Sequence, residues 1–146
     1  MADRDNYMEY VRITESDLEA LKPLQIAYKR EIGEEPPSEG ELGRLREAIA
    51  DQAILFYGCR EGERLIACCS VSPIFSTFDY QRGGVFEDFY IVPECRHQGI
   101  ARKLVRFAYE QSGAGSLTVG CADCDVDMYH SLGFSIRLGN MYAYEA

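Results

Sequence analysis

The chain has 146 residues, of which 47% are hydrophobic and 27% charged, and its formal net charge at pH 7 is −9. This length suits one domain, no apolar run could span a membrane, and the first residues carry no secretion signal, so we expect a single cytoplasmic domain over 1–146 without membrane contact. The acidic balance disfavours nucleic-acid binding, which normally needs a basic face, and favours a cationic small-molecule partner.

The first part of the chain is predicted to form one strand and two helices. The segment "EYVRIT", residues 9–14, alternates apolar and polar side chains as a half-buried strand does. Thr14 and Asp17 have the spacing of a helix capping box, and so do Ser38 and Glu41 after the loop "GEEPPS". Each pair therefore predicts the start of a helix.

The rest of the chain alternates between predicted strands and helices. Strands are predicted at 52–60, 64–75 and 84–92, and the clearest helical pattern covers 99–113. Four elements follow: a strand at 116–121, a short helix at 125–133, and strands at 134–138 and 141–146. The element order βααβββαβαββ describes a mixed α/β fold with about seven strands and four helices.

The turn between the strand at 84–92 and the next helix has features of an anion-binding site. It contains the segment "RHQGIA", residues 96–101. The N-terminus of a helix offers unpaired N–H donors and the positive end of a dipole, which suit a pyrophosphate. Gly99 allows close approach of the backbone, and Arg96 can add a charge-assisted contact. Taken alone, the segment also fits an ordinary turn with a surface arginine.

Six cysteines occur, and most are predicted to be reduced and packed as small apolar residues. Cys68 and Cys69 lie inside a strand-like run. Cys121 and Cys124 have CxxC spacing, but no second pair exists that could complete a structural zinc site. We predict no metal, and a redox role for the CxxC pair is the least favoured alternative.

Two segments together indicate a family. The block "FEDFYIVPECRHQGIARKLV" resembles the acetyl-CoA-binding core of the GNAT superfamily of N-acetyltransferases, with Arg96, Gly99 and Ala101 at the positions of its R/Q-x-x-G-x-G/A motif. The segment "MYHSLGF" resembles a second family signature and places Tyr129 at the matching tyrosine. The predicted element order agrees with the family's from end to end. The resemblance implies a GNAT-type fold, a twisted mixed sheet of about seven strands flanked by four helices.

The resemblance also implies acetyl-CoA as cosubstrate and suggests which residues would bind it. Backbone groups of Phe89, Tyr90 and Ile91 would bond the pantetheine arm in a gap between splayed strands. Main-chain groups of the following turn would hold the pyrophosphate, namely those of Arg96, His97, Gln98, Gly99, Ile100, Ala101 and Arg102. His97 is expected to be exposed or in contact with phosphate rather than catalytic.

Transfer of an acetyl group to an amine needs a neutral amine, whose conjugate acid has a pKa of about 10, so a base must remove a proton. The candidate bases are Glu87 and Asp88, and Tyr129 is the candidate proton donor to the leaving thiolate. Adjacent strand residues face opposite sides, so only one of the two carboxylates should reach a given cleft. The similarity of "FEDFYIV" to the "LEDxxV" segment of diamine acetyltransferases favours Glu87. The alternatives are an exposed strand position for Glu87 and a packing role for Tyr129.

The predicted acceptor is a small cationic primary amine, acetylated by direct attack in a ternary complex. The segment "FSTFDYQRG", residues 75–83, resembles the acceptor-side segment of small-amine acetyltransferases. Carboxylates with an aromatic ring can bind a spaced di-cation. The candidate acceptor-binding residues are Glu31, Glu34, Glu35, Asp79 and Tyr80. Alternative acceptors are an aminoglycoside or a protein amine, and another alternative is a non-catalytic acyl-CoA-binding module. A homodimer is a further expectation.

Overall fold

The structure, a computed structural model, describes residues 7–146. Its helices and strands follow one another in the order β1 (Met8–Ile13), α1 (Leu18–Glu31), α2 (Glu39–Ala50), β2 (Leu55–Glu61), β3 (Arg64–Ser76), β4 (Gln81–Ile91), α3 (Ile100–Ser112), β5 (Leu117–Val119) and α4 (Val126–Ser131). Short 3₁₀ turns lie at Glu15–Asp17, Pro93–Cys95 and Asp123–Asp125. No helix in the described range is long and apolar enough to cross a membrane.

The five strands form one mixed sheet in the order β1-β2-β3-β4-β5. Strands β1 to β4 are antiparallel neighbours, and β5 runs parallel to β4. The pairing of β3 with β4 extends from Ala67↔Ile91 to Ser76↔Gln81, whereas β5 pairs with β4 only from Gly84 to Phe86. The long β3–β4 pair is therefore the central support of the sheet.

The two predicted capping pairs lie at the starts of helical segments, as expected. The Thr14 backbone N–H donates to the Asp17 carboxylate at 2.8 Å, just before α1. At α2 the exchange is reciprocal: the Ser38 N–H donates to Glu41 at 3.0 Å, and the Glu41 N–H donates to the Ser38 hydroxyl at 3.2 Å. Each bond satisfies a backbone donor that the helix itself leaves unpaired.

Helices cover both faces of the sheet. On one face, Phe107 of α3 makes an edge contact with Tyr57 of β2, which lies opposite Cys69 of β3. Because successive strand residues alternate, Ser70 projects to the other face, where α1 packs against β3 and β4. The core on both sides is fully buried, and it includes Leu21, Ile66 and Leu104 at 0% exposure.

The prediction of seven strands is wrong. The described chain has five strands in the order βααβββαβα, and the segments 134–138 and 141–146 form no strand. Phe134 is partly buried against the core. The other large apolar side chains of these segments are 76% to 92% exposed: Ile136, Leu138, Met141, Tyr142 and Tyr144. Alternating side chains make a strand only where a neighbouring strand supplies hydrogen bonds and a surface to cover. The neighbouring edge strand, β5, has only three residues.

Candidate active site

The sheet opens between β4 and β5, and we call this opening the β4–β5 cleft. Pairing of the two strands ends at Phe86↔Val119, but β4 continues to Ile91. Among the described residues, no strand pairs with the segment 87–91 on the β5 side. The predicted residues Phe89, Tyr90 and Ile91 all lie in this segment. Its backbone edge can therefore bond an extended molecule placed in the cleft.

Strand β4 carries a bulge at the mouth of the cleft. Ser70 lies opposite Glu87 and Cys68 lies opposite Tyr90, so three steps on β4 match two steps on β3. Asp88 has φ +55°, in the left-handed region that few non-glycine residues adopt. The Cys68 thiol donates to the Asp88 carbonyl at 3.4 Å and bonds the bulge to β3. Such a bulge inserts one extra residue and turns its side chain.

The bulge brings the two predicted carboxylates to the same face of the sheet. Glu87 lies directly opposite Ser70, so its side chain projects to the α1 face as that of Ser70 does. The Asp88 carboxylate turns to this face as well: it accepts a bond from the Ser70 hydroxyl at 2.7 Å and one from the Gln25 amide at 3.3 Å. The predicted opposite orientation of the two side chains is therefore wrong, because the bulge interrupts the strand alternation.

Tyr28 of α1 lies beside this pair of carboxylates. Burial raises the pKa of its hydroxyl, and the negative charges of Asp88 and, less strongly, Glu87 raise it further, while the nearby ammonium of Lys29 opposes them. Ionised carboxylates disfavour a second negative charge in the same space. Tyr28 therefore stays neutral and adds a hydroxyl to the wall of the site.

Three residues of this region were not predicted as functional: Gln25, Tyr28 and Ser70. Tyr28 fits the apolar stripe of α1, which made it look like a core residue. The available signal was polarity in the wrong place. Gln25 lies among the buried positions of α1, and Ser70 interrupts the buried apolar run of β3. Buried polar side chains need partners, so such positions point to a polar feature elsewhere in the fold.

Tyr129 of α4 lies along the β4–β5 cleft. Its half-buried ring packs against Phe89 of β4, with centroids 6.3 Å apart, and against Phe134 at 5.8 Å. Burial, with smaller contributions from Tyr28 and Asp125, raises the pKa of Tyr129 to about 12. The hydroxyl therefore carries its proton at neutral pH and can act as a donor.

The turn before α3 has the backbone geometry of an anion-binding turn. His97 has φ +62° and Gly99 has φ +85°, and Gly99 is the N-cap of α3. No atom lies within 4 Å of the position that a Cβ on Gly99 would take, so the glycine is needed for its φ and leaves open space outside the turn. The buried Ile100 anchors the turn to the core.

The flanking side chains of this turn hold neighbouring elements together. Gln98 donates to the Glu94 carbonyl at 3.2 Å. Arg102 donates to the Ser131 carbonyl at 3.0 Å and so joins α3 to the end of α4. Ala101 is half-buried against the core. The main-chain N–H groups of the first turn of α3 have no acceptor within the helix, as at any helix start, and can therefore bond an anion.

Arg96 is held by three groups of this protein. Its Nε donates to the Ile91 carbonyl at 2.8 Å, and its Nη2 donates to the Glu31 carboxylate at 2.9 Å. Its guanidinium also lies 5.3 Å from the centroid of the Tyr90 ring. Glu31, predicted as an acceptor-binding residue, therefore lies beside the predicted pyrophosphate-binding turn.

The remaining predicted acceptor residues do not form one cluster. Glu34 pairs with Lys29 at 2.8 Å, close to the end of α1, and Glu35 is exposed in the following loop. Asp79 and Tyr80 lie in the β3–β4 turn, where Tyr80 is 74% exposed. Strand β4 needs about 20 Å to run from this turn to Glu87, at about 3.3 Å per residue. Asp79 and Tyr80 are thus separated from Glu87 along the sheet.

The cysteines divide into a buried and an exposed set. Cys59, Cys68, Cys69 and Cys95 are buried, which agrees with the predicted packing role, while Cys121 and Cys124 are exposed. Burial raises the pKa of the Cys59 thiol to about 11, so this thiol is protonated and unreactive at neutral pH. In residues 7–146 no group of three or more His, Cys, Asp or Glu side chains could hold a metal ion.

These features define a class of site. A mixed sheet opens between two parallel strands, and a helix N-terminus with left-handed turn residues follows the longer strand. A phenol and two carboxylates flank the opening. Such a cleft can bind an extended molecule with an anionic end and hold its other end beside groups that move protons.

Comparison with known proteins identifies the family. Residues 52–136 match the family model described as acetyltransferase (GNAT) domain. The chain belongs to the GNAT acetyltransferase family. The family resemblance noted in the sequence is thereby confirmed. A search of curated proteins finds no significant match.

Solved structures share the fold over nearly the whole chain. One described as a probable acetyltransferase is 24% identical, with a TM-score of 0.81, and covers 94% of this chain and 98% of its own. An aminoglycoside acetyltransferase from an uncultured soil metagenomic sample, in complex with sisomicin, is 15% identical, with a TM-score of 0.79 and 99% coverage of each chain. A predicted acetyltransferase from Clostridium acetobutylicum, with acetyl-CoA, is 18% identical, with a TM-score of 0.77 and coverage of 94% and 96%.

Proposed function

We propose that this protein acetylates a primary amine of a small cationic molecule, by direct attack while acetyl-CoA and the amine are both bound. The observation that carries the proposal is the bulge at Asp88, which brings the Glu87 and Asp88 side chains to one face of β4 at the mouth of the β4–β5 cleft. When bound, acetyl-CoA supplies an activated acyl group and a thiolate leaving group. The residues of this chain bind, orient and move protons around it.

The part of the site proposed to bind acetyl-CoA, the acetyl donor, fits a long molecule with a pyrophosphate. The backbone edge of 87–91, which pairs with no strand of the described chain on the β5 side, would bond the pantetheine arm, and the N–H groups of the turn 96–102 would hold the pyrophosphate. The open space beside Gly99 supports this assignment, because a phosphate must approach the backbone closely there. Arg96 would add a positive charge, which it now shares with Glu31.

We assign Glu87 as the base. Its side chain is exposed, and none of the hydrogen bonds or ion pairs in the described chain engages it. A free carboxylate can accept a proton from the substrate ammonium, directly or through a water molecule. Each oxygen of Asp88, in contrast, already accepts a hydrogen bond. Asp88 therefore suits a fixed negative charge that binds the cationic amine.

We assign Tyr129 as the hydrogen-bond donor to the leaving thiolate. Its pKa of about 12 lies well above that of an ordinary thiol, about 8.5. The hydroxyl would therefore stabilise the thiolate by donating a hydrogen bond and would keep its own proton. Its ring contact with Phe89 lies along the strand segment that would bind the donor.

The acidic surroundings support a cationic acceptor. The net charge is −9, and the Glu87 and Asp88 side chains lie on the α1 face at the site. A negative field of this kind draws in diamines and polyamines. Aminoglycosides are also polycations, and one of the structures with the same fold is an aminoglycoside acetyltransferase, so they form the second acceptor class to test.

The deciding experiment measures thiol release from acetyl-CoA with polyamines, diamines, aminoglycosides, amino acids and short peptides, at low and at moderate salt. We expect the highest kcat/KM with a small polycation and a fall in kcat/KM as salt screens the attraction. A peptide or an uncharged amine as best substrate contradicts the cationic assignment. CoA binding without thiol release for any amine would instead identify a non-catalytic acyl-CoA-binding module.

Calorimetry tests the donor side independently of the acceptor. Arg96→Ala should weaken CoA binding, because a charge beside the turn is lost. Arg106→Ala is the matched control, since Arg106 pairs with Glu110 on the exposed face of α3. Equal affinities for the two variants would remove Arg96 from the proposed site.

A further inference from the structure

Two buried polar side chains that have no part in the proposed reaction both bond to the Asp88 carboxylate. Ser70 is 0% exposed and Gln25 is 5% exposed. The Ser70 hydroxyl donates to one oxygen of Asp88 at 2.7 Å, and the Gln25 amide donates to the other at 3.3 Å. The donors come from β3 and α1, so three elements converge on this carboxylate.

This convergence explains how a strained conformation persists. A left-handed φ at an aspartate costs free energy, and a regular strand would direct residue 88 away from α1. A buried serine and a buried glutamine would each be costly without a partner, and Asp88 satisfies both. The bond from the Cys68 thiol to the Asp88 carbonyl holds the main chain of the same residue. The bulge is therefore held at both the backbone and the side chain.

Gln25 also connects the carboxylate to the wall of the site. Gln25 and Tyr28 are three residues apart on α1, so they share a helix face. The bond from Gln25 to Asp88 therefore joins the carboxylate to the helix that carries Tyr28. The same helix ends at Glu31, the partner of Arg96.

We propose that Ser70 and Gln25 are positioning residues that hold the Asp88 carboxylate on the α1 face, where it binds the cationic amine. The inference rests on the proposed function, in which Asp88 supplies the fixed charge. It assigns a role to two buried side chains that touch neither substrate. Loss of either hydrogen-bond donor should weaken amine binding and leave the acetyl-CoA-binding part of the site intact.

The kinetic test uses Ser70→Ala and Gln25→Met, with Ser112→Ala as the matched control. Ser112 is also buried, and its hydroxyl donates to the Tyr109 carbonyl at 3.3 Å at the far end of α3. We expect each of the first two changes to raise KM for the best amine about tenfold, as loss of a charge-assisted bond does, with CoA affinity unchanged. Ser112→Ala should change neither quantity. An equal rise in KM for Ser112→Ala would indicate general destabilisation and overturn the proposal.

A double-mutant cycle separates positioning from packing. In an Asp88→Asn background, which removes the charge but tolerates the left-handed φ, Ser70→Ala should no longer change KM. The same rise in KM in both backgrounds would show that Ser70 does not act through Asp88, and the proposal would be wrong.

A crystal structure of the Ser70→Ala/Gln25→Met variant gives a readout that does not need turnover. We expect the Asp88 side chain to leave the α1 face and residue 88 to leave the left-handed region. An unchanged Asp88 would overturn the proposal even if the enzyme is active. Wild-type protein that binds CoA but acetylates no amine would reject the proposed function alone, and this structural comparison would still decide the positioning role.

Discussion

Arg96 and Glu31 form an ion pair at 2.9 Å that joins the turn before α3 to the last residue of α1. Their side chains are 34% and 48% exposed, so the pair is weak and open to exchange with another anion. A pyrophosphate bound at the turn would compete with Glu31 for the guanidinium. Binding of acetyl-CoA at the proposed site would thereby be coupled to the helix that carries Gln25 and Tyr28.

Glu31→Gln should tighten CoA binding up to about fivefold, because it frees Arg96 from a competing carboxylate of modest strength. Isothermal calorimetry at low salt is the measurement, and the gain should shrink as salt is added. Glu34→Gln is the control, since Glu34 pairs with Lys29 and not with Arg96. Weaker CoA binding in Glu31→Gln would mean that Glu31 orients Arg96 for the donor and does not compete with it.

Tyr129→Phe should lower kcat about 10²–10³-fold, as loss of one hydrogen-bond donor to a developing negative charge does, and should leave CoA affinity unchanged, because only the hydroxyl is lost. The ring contacts with Phe89 and Phe134 remain available to phenylalanine. Steady-state kinetics and CoA calorimetry on the same preparation check this. An unchanged kcat would return Tyr129 to a packing role.

The pH profile of the wild type gives a second test of Tyr129. Its pKa is raised to about 12 in the folded protein, so the donor form is present at lower pH and is lost only as pH rises through that value. We therefore expect no descending limb of kcat from Tyr129 between neutral pH and about pH 10, the ordinary tyrosine pKa. A fall of kcat in that window that is absent in Tyr129→Phe would contradict the assignment.

Glu87→Gln and Asp88→Asn should affect different parameters. Removal of the base should lower kcat about 10²–10⁴-fold and flatten the rise of kcat/KM with pH. Asp88→Asn should mainly raise KM for the amine, because it removes a fixed charge. Parallel pH–rate measurements on the two variants decide between them. The reverse result would make Asp88 the base and Glu87 the binding charge.

Two glycines provide a stability test of the fold. A Cβ on Gly58 of β2 would lie 2.8 Å from Ile13 Cδ1 and 2.9 Å from the Ala67 carbonyl oxygen, so Gly58→Ala should cost about 1–3 kcal/mol. Gly43 lies in α2 with no atom within 4 Å of its Cβ position, so Gly43→Ala should add about 0.5–1 kcal/mol through helix propensity. Urea denaturation measures both. Equal stabilities would argue against the packing of β1, β2 and β3 described above.

Local patterns in the sequence predicted much of the framework. The capping pairs Thr14–Asp17 and Ser38–Glu41 are where they were expected, and the helix predicted at 99–113 is observed at Ile100–Ser112. These features depend on interactions between residues a few positions apart, so a short window contains the physical information. The family motif around Arg96 and Gly99 is equally local.

The last strands show the limit of such patterns. Residues 134–138 and 141–146 have apolar residues in a strand-like pattern, yet in the described structure they pair with no strand, and their large apolar side chains other than Phe134 are exposed. Whether a segment becomes a strand depends on a partner edge, and β5 offers only three residues. A pattern in one segment carries no information about the length of its neighbour.

The sequence by itself determined the family, the turn before α3, and Glu87, Asp88 and Tyr129 as candidate catalytic residues. Only the tertiary structure decided that Glu87 and Asp88 share a face, because the register of β4 against β3 places one extra residue at Asp88. It also brought Gln25 and Ser70 to the same carboxylate, although they lie 63 and 18 residues from it along the chain. Contacts of this range depend on strand register and helix packing, which arise when the whole core assembles and cannot be read from any short stretch.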